Sequence, residues 1–169
     1  MTNVTDHLRK ISIESTSPDE TIRAVLSTQS GVRVEFERPI ADLHSEESLE
    51  NQIESVVKDL IEAYELEAQS ITQETYGGIN THQDSNPKYV AFLNLCEKIK
   101  FTAKSDNSPI AIDWEGSGDI IVAIRSGTLT SIEEEVFISQ ANSIIQAAIE
   151  TYSLAVKAAH KVIYLQNKK

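Results

Sequence analysis

The strongest constraint on this chain is that it matches itself at an offset of 88 residues. Residues 11–69 align with 99–157 without a gap. Ile11 meets Ile99, Ile22 meets Ile110, Val34 meets Val122, Glu46-Glu47 meets Glu134-Glu135, Gln52 meets Gln140, and Tyr64 meets Tyr152. Twelve of the fifty-nine pairs are identical, too few to decide the matter alone. The stronger signal is that the spacing of apolar residues changes at the same places in both stretches.

Each stretch opens with alternation. Ile11 and Ile13 are matched by Ile99 and Phe101. Ile22, Ala24 and Leu26 are matched by Ile110, Ile112 and Trp114, and Val32, Val34 and Phe36 by Ile120, Val122 and Ile124. Period-two alternation predicts half-buried strands, and a slip of one residue would exchange their faces. Thr28-Gln29-Ser30-Gly31 and Gly116-Ser117-Gly118-Asp119 fall where hairpin turns are needed, with glycine for a positive φ. Helical spacing then takes over. Leu49, Ile53, Val56, Val57, Leu60, Ile61 and Tyr64 line one helix face. Phe137, Ala141, Ile144, Ile145, Ala148, Ile149 and Tyr152 line the other.

The first helix is expected from Ser45, as N-cap, to Ala68, with Glu46 and Glu47 at the positive end of its dipole. In the second, Thr130 with Glu133, or Ser131 with Glu134, would form a capping box. Helix two is expected to continue through Ala155, Ala159, Val162 and Ile163 toward the basic tail Lys168-Lys169. Residues 89–96 read as a short helix ahead of the second unit, whereas the first has only a stub, Asp6 to Arg9.

The chain is thus expected to be α+β: two repeats of a three-stranded antiparallel sheet followed by a long amphipathic helix. One such unit is too small to cover its apolar face, so the two are expected to pack as an internal pseudo-dimer. The boundaries are 1–69 for the first repeat, 70–86 for a linker containing Gly77-Gly78, and 87–169 for the second repeat, which opens on Pro87.

Most of the chemistry that a sequence can advertise is missing. No apolar run reaches the roughly 20 residues of a membrane span. The polar N-terminus lacks a signal-peptide core. One cysteine, Cys96, precludes an internal disulfide, and a cytoplasmic location is expected. The four histidines, His7, His44, His82 and His160, are scattered, and no metal or other cofactor is expected. Cys96 lies in an apolar segment with Phe92, Leu93 and Leu95, as a core thiol would. Gly116-Ser117-Gly118 lacks the following Gly-Lys-Ser/Thr of a phosphate loop. The acidic residues Glu46, Glu47, Glu50, Glu54, Asp59, Glu62 and Glu65 read as a solvated helix face, and Glu133-Glu134-Glu135 as a helix start. Trp114 alternates inward and reads as core. No nucleophile, base and oxyanion donor can be assembled, so a non-enzymatic protein is expected.

The net charge is −11 and it is unevenly placed. Residues 1–84 hold six Lys/Arg against seventeen Asp/Glu; residues 85–169 hold nine of each. Within the second repeat, Lys98, Lys100 and Lys104 share one strand parity, opposite Ile99 and Phe101. Arg125, Lys157 and Lys161 are candidates to extend that row into a phosphate-binding surface.

In its order of elements the chain resembles the YbaB/EbfC family of nucleoid-associated proteins. The residues carrying the resemblance are Ile11-Ser12-Ile13-Glu14-Ser15, Thr21 to Leu26, Val32-Arg33-Val34-Glu35-Phe36, Pro39-Ile40 and the helix from Ser45. The resemblance covers about two-thirds of the chain and rests on patterning. It implies a DNA-binding, non-catalytic protein in which a tandem fusion replaces the family's homodimer. The chain departs from the family in that the long leading helix is missing from the first repeat and short in the second, and in its acidic first half. The alternative is an acidic protein–protein adaptor or chaperone-like module that does not bind DNA, and self-association remains open.

Overall fold

The computed structural model describes residues 4–75, 86–104, 107–116 and 118–164. Helix α1 (Val4–Leu8) leads into three strands, β1 (Ser12–Thr16), β2 (Ile22–Ser27) and β3 (Gly31–Phe36). A single-turn helix α2 (Ile40–Leu43) precedes the long helix α3 (Glu46–Thr75). The second half runs α4 (Pro87–Cys96), β4 (Lys100–Lys104), β5 (Ile110–Glu115), β6 (Asp119–Ile124), α5 (Thr128–Ser131) and α6 (Glu134–Tyr164). The class is α+β, with two separate three-stranded antiparallel sheets ordered β1-β2-β3 and β4-β5-β6.

The alternation of the sequence becomes the two faces of each sheet. Ala24 pairs with Val34 and Leu26 with Val32; Ile112 pairs with Val122 and Trp114 with Ile120. These residues point inward, with Ile22, Ala24 and Ile112 fully buried and Trp114 1% exposed. The hairpin turns fall where expected. Gly31 closes the β2–β3 turn at φ 78°. A Cβ there would also sit 2.6 Å from the end of the Gln146 side chain, which would have to shift, so the positive φ is what calls for glycine. Gly116 and Gly118 bracket the β5–β6 turn at φ 64° and 155°, while Ser117 lies outside the described residues.

Each long helix packs on the sheet of its own half and on the edge strand of the other. Helix α3 lies against β1, β2 and β6; α6 lies against β4, β5 and β3. The buried residues of both halves therefore form one contiguous cluster, from Ile22 and Leu49 to Trp114 and Tyr152. Burying this face is worth roughly 1.5–3 kcal/mol per large aliphatic side chain. The two helices also run in the same direction. Their N-termini are held together where α2 packs on α5, and they meet again where the Tyr152 hydroxyl donates to Glu65 at 2.8 Å. Helix α6 is backed by α4, and α3 by the five-residue α1.

Local structure departs from the sequence reading at four places. Helix α3 reaches Thr75, past Ala68 and into the stretch read as linker; residues 76–85 of that linker lie outside the described residues. The single-turn helices α2 and α5 have no amphipathic signal, because each is one turn long and is held by one buried residue, Ile40 or Thr128. The capping box at Thr130 and Ser131 does not form. Their hydroxyls donate to the Gly127 and Thr128 carbonyls, closing α5, and α6 starts at Glu134 after an extended Ile132. Lys98 is not on the strand: its N–H donates to the Leu95 carbonyl in the turn after α4. Ser45 does cap α3, accepting from the Ser48 N–H at 3.1 Å.

The single tryptophan, Trp114, lies in the second half, whereas Leu49 lies on α3 of the first and is fully buried. Leu49→Ala should cost about 2–5 kcal/mol. In urea unfolding, tryptophan fluorescence and helical circular dichroism should shift together. A variant in which the fluorescence midpoint stays put while the dichroism becomes biphasic would show that the halves unfold separately.

Candidate functional site

The residues proposed from sequence for phosphate contact fall in three places. Lys100 and Lys104 lie with Thr102 on the exposed face of β4. Lys100 is 3.3 Å from Glu115, and Thr102 donates to Asp113, so that outer face is of mixed charge. Arg125 follows β6, at the opposite edge of the same sheet. Lys157 and Lys161 are exposed on the distal half of α6. Lys98 follows α4, which packs on that same distal half. Lys98, Lys100 and Lys104 therefore do not form one strand row, and Arg125 does not extend them. Lys168 and Lys169 lie outside the described residues.

The acidic face of α3 is not simply solvated, contrary to the sequence reading. The first sheet ends in β3 and the second in β6, and these edge strands do not pair with each other. Side chains from the opposing helix take up their N–H groups. Glu50 accepts from Ile124 at 2.6 Å and Glu54 from Val122 at 2.8 Å. Glu46 accepts from Gly127 at 3.0 Å, and its own backbone N–H, then that of Leu129, with smaller help from Gly127 and Thr128, holds its carboxyl below the usual range. Across the molecule, Asn142 accepts from the Val34 N–H at 2.7 Å and donates to the Val34 carbonyl at 3.0 Å. Gln146 accepts from Val32 at 2.6 Å, and Glu134 from Ile40 at 2.7 Å. Arg38 adds an exposed pair with Glu135 at 2.5 Å. These carboxylates and amides are structural acceptors. Shallow grooves of about 350 Å³ flank them, one between β3 and α6 and one between α3 and β6.

His44 was read as isolated, but it is the centre of a polar cluster. It is 7% exposed, its Nε2 lies 2.7 Å from the Thr21 hydroxyl and its Nδ1 3.0 Å from the Ser48 hydroxyl. Thr21 and Ser17 both donate to Asp19, at 2.8 and 2.7 Å. With the Thr21 proton given to Asp19, His44 donates from Nε2 to the Thr21 hydroxyl. Burial raises the Asp19 carboxyl, but the hydrogen bonds from Ser17 and Thr21 outweigh it and leave the group lowered. Serine on histidine is the arrangement of a nucleophile and its base. Here the imidazole is closed off, and the Ser48 and Leu49 N–H groups at the helix start are already given to Ser45. The cluster clamps the β1–β2 turn onto the start of α3. The signal was local: Ser17, Asp19 and Thr21 form a turn signature, but only the fold brings His44 to it.

At the far end of the helices a second cluster forms. Trp114 stacks between Phe101 and Tyr152, at 5.6 and 4.7 Å between ring centres. Glu65 is exposed as a residue, yet burial of its carboxylate against this stack raises it, opposed by the Tyr152 hydrogen bond. Burial likewise raises the Tyr152 hydroxyl and the Cys96 thiol. Cys96 is a closed-off core thiol. Among the described residues no group of three His, Cys, Asp or Glu could hold a metal ion, and no helix is long and apolar enough to cross a membrane.

The exposed apolar side chains point to a surface instead. Val90 and Leu93 on α4, and Leu154 and Val162 on α6, are 41, 41, 66 and 46% exposed. Leu154, Lys157, Ala158 and Lys161 follow the i, i+3, i+4, i+7 spacing of one helix stripe, and all four are exposed. No carboxylate occurs from Thr151 to Tyr164, and α4 has none either. The same end of α3 is the reverse: Glu62, Glu65 and Glu67 surround Leu66, which is 61% exposed. Phe92 packs on His160 and Tyr164, fixing α4 against α6.

Because the folded Glu65 carboxyl is raised, the folded chain binds that proton more tightly than the unfolded chain does. Stability is gained as pH falls, and ionised Glu65 costs stability at neutral pH. Glu65→Gln keeps an acceptor for Tyr152 and should raise the urea midpoint at neutral pH. The gain should vanish below the ordinary carboxylate range; a lower midpoint at neutral pH would contradict this account. No family model matches the chain, and no match is found among the curated proteins or the solved structures.

Proposed function

We propose that this chain is a non-enzymatic binding protein built as a tandem, YbaB/EbfC-like pseudo-dimer, and that its binding surface is the helical tip formed by α4 and distal α6. The duplicated architecture is supported by the hydrogen bonds between the halves. Glu54 on Val122 and Asn142 on Val34 are the same contact, shifted by 88 residues in both partners. The strand registers repeat as well: Ile22 with Phe36, and Ile110 with Ile124.

The observation that carries the functional reading is the Leu154–Lys157–Ala158–Lys161 stripe beside exposed Val90 and Leu93. Apolar residues interleaved with lysines suit an acidic amphipathic helix, which buries its apolar side and pairs its carboxylates at the rim. This favours the protein-adaptor reading. Phosphate contact gains nothing from exposed leucine, and a chain of net charge −11 repels a polyanion except where the field is locally inverted. The second reading, DNA binding, is favoured by the carboxylate-free run from Thr151 to Tyr164, which makes this helix locally positive.

The two readings separate in one titration. An acidic amphipathic helical peptide and a duplex DNA are titrated at low salt by fluorescence anisotropy. The protein reading expects peptide binding that weakens about tenfold in Leu154→Ser, the order of one buried aliphatic contact. It also expects loss of binding in Lys157→Glu with Lys161→Glu. The DNA reading expects duplex binding with a steep salt dependence, insensitive to Leu154→Ser and lost with the lysines. Binding of neither ligand would reject this surface.

A further inference from the structure

The hydrogen bonds that close the edge of β3 stop one short. The Glu37 N–H donates to the Thr21 carbonyl, so alternation along β3 turns the N–H groups of Val32, Val34 and Phe36 away from β2. Gln146 accepts from Val32 and Asn142 from Val34, one helix turn apart. One turn earlier on α6 the residue is Ile138, whose side chain cannot accept. At the 88-residue offset the counterpart of Ile138 is Glu50, and that of Phe36 is Ile124. Glu50 takes the Ile124 N–H at 2.6 Å. Among the described residues no acceptor meets the Phe36 N–H.

Phe36 and Ile138 both line the groove of about 350 Å³ between β3 and α6. Both are half-buried and give the groove an apolar wall. The charged residues lining it are two arginines, Arg33 and Arg38, against one carboxylate, Glu35. Arg38 meets Glu134 through Nε and Glu135 through Nη1, and its Nη2 takes no part in either pair. The groove between α3 and β6 has the opposite lining. There Lys58 stands against Glu62, Glu65 and Asp119, a set that repels an anion.

We infer that the groove between β3 and α6 binds a small monocarboxylate with an apolar body. Its carboxylate takes the Phe36 N–H as Glu50 takes that of Ile124, with the Arg38 guanidinium beside it, and its apolar body lies against Ile138. Charge favours a carboxylate over a neutral acceptor, because hydrogen bonds to an ionised group are roughly twice as strong. The volume is at the small end of ligand sites, which suits a compact molecule rather than a cofactor. This site is separate from the surface of α4 and distal α6 and does not depend on what binds there.

Benzoate is the probe, titrated into the full chain at neutral pH and followed by amide proton–nitrogen correlation NMR. The expected result is a saturable downfield shift of the Phe36 amide proton, larger than that of Val32 or Val34, whose donors are already held. Benzamide has the same shape without the charge and should bind about tenfold more weakly. Ile138→Glu supplies the carboxylate from within the chain. Its Phe36 amide should already lie near the benzoate-saturated position, and benzoate should no longer move it. Arg38→Ala cuts an exposed ion pair and should weaken benzoate binding about tenfold. It carries the test if urea unfolding shows that Ile138→Glu does not fold. A Phe36 amide that benzoate leaves in place overturns the inference, as does equal binding of benzamide, or benzoate binding that is unchanged in Ile138→Glu or in Arg38→Ala. If the acidic peptide moves Phe36 and benzoate does not, the carboxylate comes from a protein side chain and the small-molecule assignment falls.

Discussion

The backbone N–H groups along β3 and β6 govern how the two halves fit together. A sheet of three strands ends in an edge, and an edge strand turned toward the interior of a protein cannot leave its donors unsatisfied. The two edges do not meet and form a ladder. Each is met by a helix from the other half, which offers acceptors at one-turn intervals: Glu50 and Glu54 to β6, Asn142 and Gln146 to β3. Because the helix repeats about every 5.4 Å and alternate strand residues about every 6.6 Å, only two such contacts stay in step before the periods drift apart. This is enough to fix the register of helix on strand. It places Val56, Val57 and Leu60 over one part of the core and Ile144, Ile145 and Ala148 over the other.

That exchange also explains why the interior is one cluster. Each helix covers its own sheet and reaches over the neighbouring edge, so neither half has a complete core of its own. Polar acceptors and apolar faces are arranged on the same helices, one turn apart. The acidic composition of α3 therefore has a structural role as well as an electrostatic one. Glu50 and Glu54 replace strand–strand hydrogen bonds and Glu46 takes up the N–H groups at the start of α5, while Asp59, Glu62 and Glu67 farther along remain exposed. Charge that looks like one continuous solvated face in the sequence is divided in the fold between a buried-edge function and a surface one.

The polar cluster at His44 and the aromatic stack at Trp114 sit at opposite ends of the helices and do different work. The first fixes the β1–β2 turn to the start of α3 through Asp19, Thr21, His44 and Ser48. The second ends the shared core at Tyr152 and Glu65, beyond which the helices carry exposed leucines and charges of opposite sign.

The sequence determined the strands, their inward faces, the hairpin turns and the two long helices, because each depends on spacing within a few residues along the chain. It also located Trp114 in the core, since strand alternation leaves no choice of face. Only the tertiary structure decided which carboxylates are acceptors and which are exposed, that His44 is enclosed by hydroxyls, and that Lys98, Arg125 and the β4 lysines do not converge. Leu154, Lys157 and Lys161 were each legible as helical residues. That they remain uncovered depends on where α4 packs on α6. Local periodicity fixes the direction in which a side chain points relative to its own element. What it meets there is set by contacts between residues about 70 to 110 positions apart, as for Glu54 with Val122 and Asn142 with Val34, and no pattern within one element encodes these.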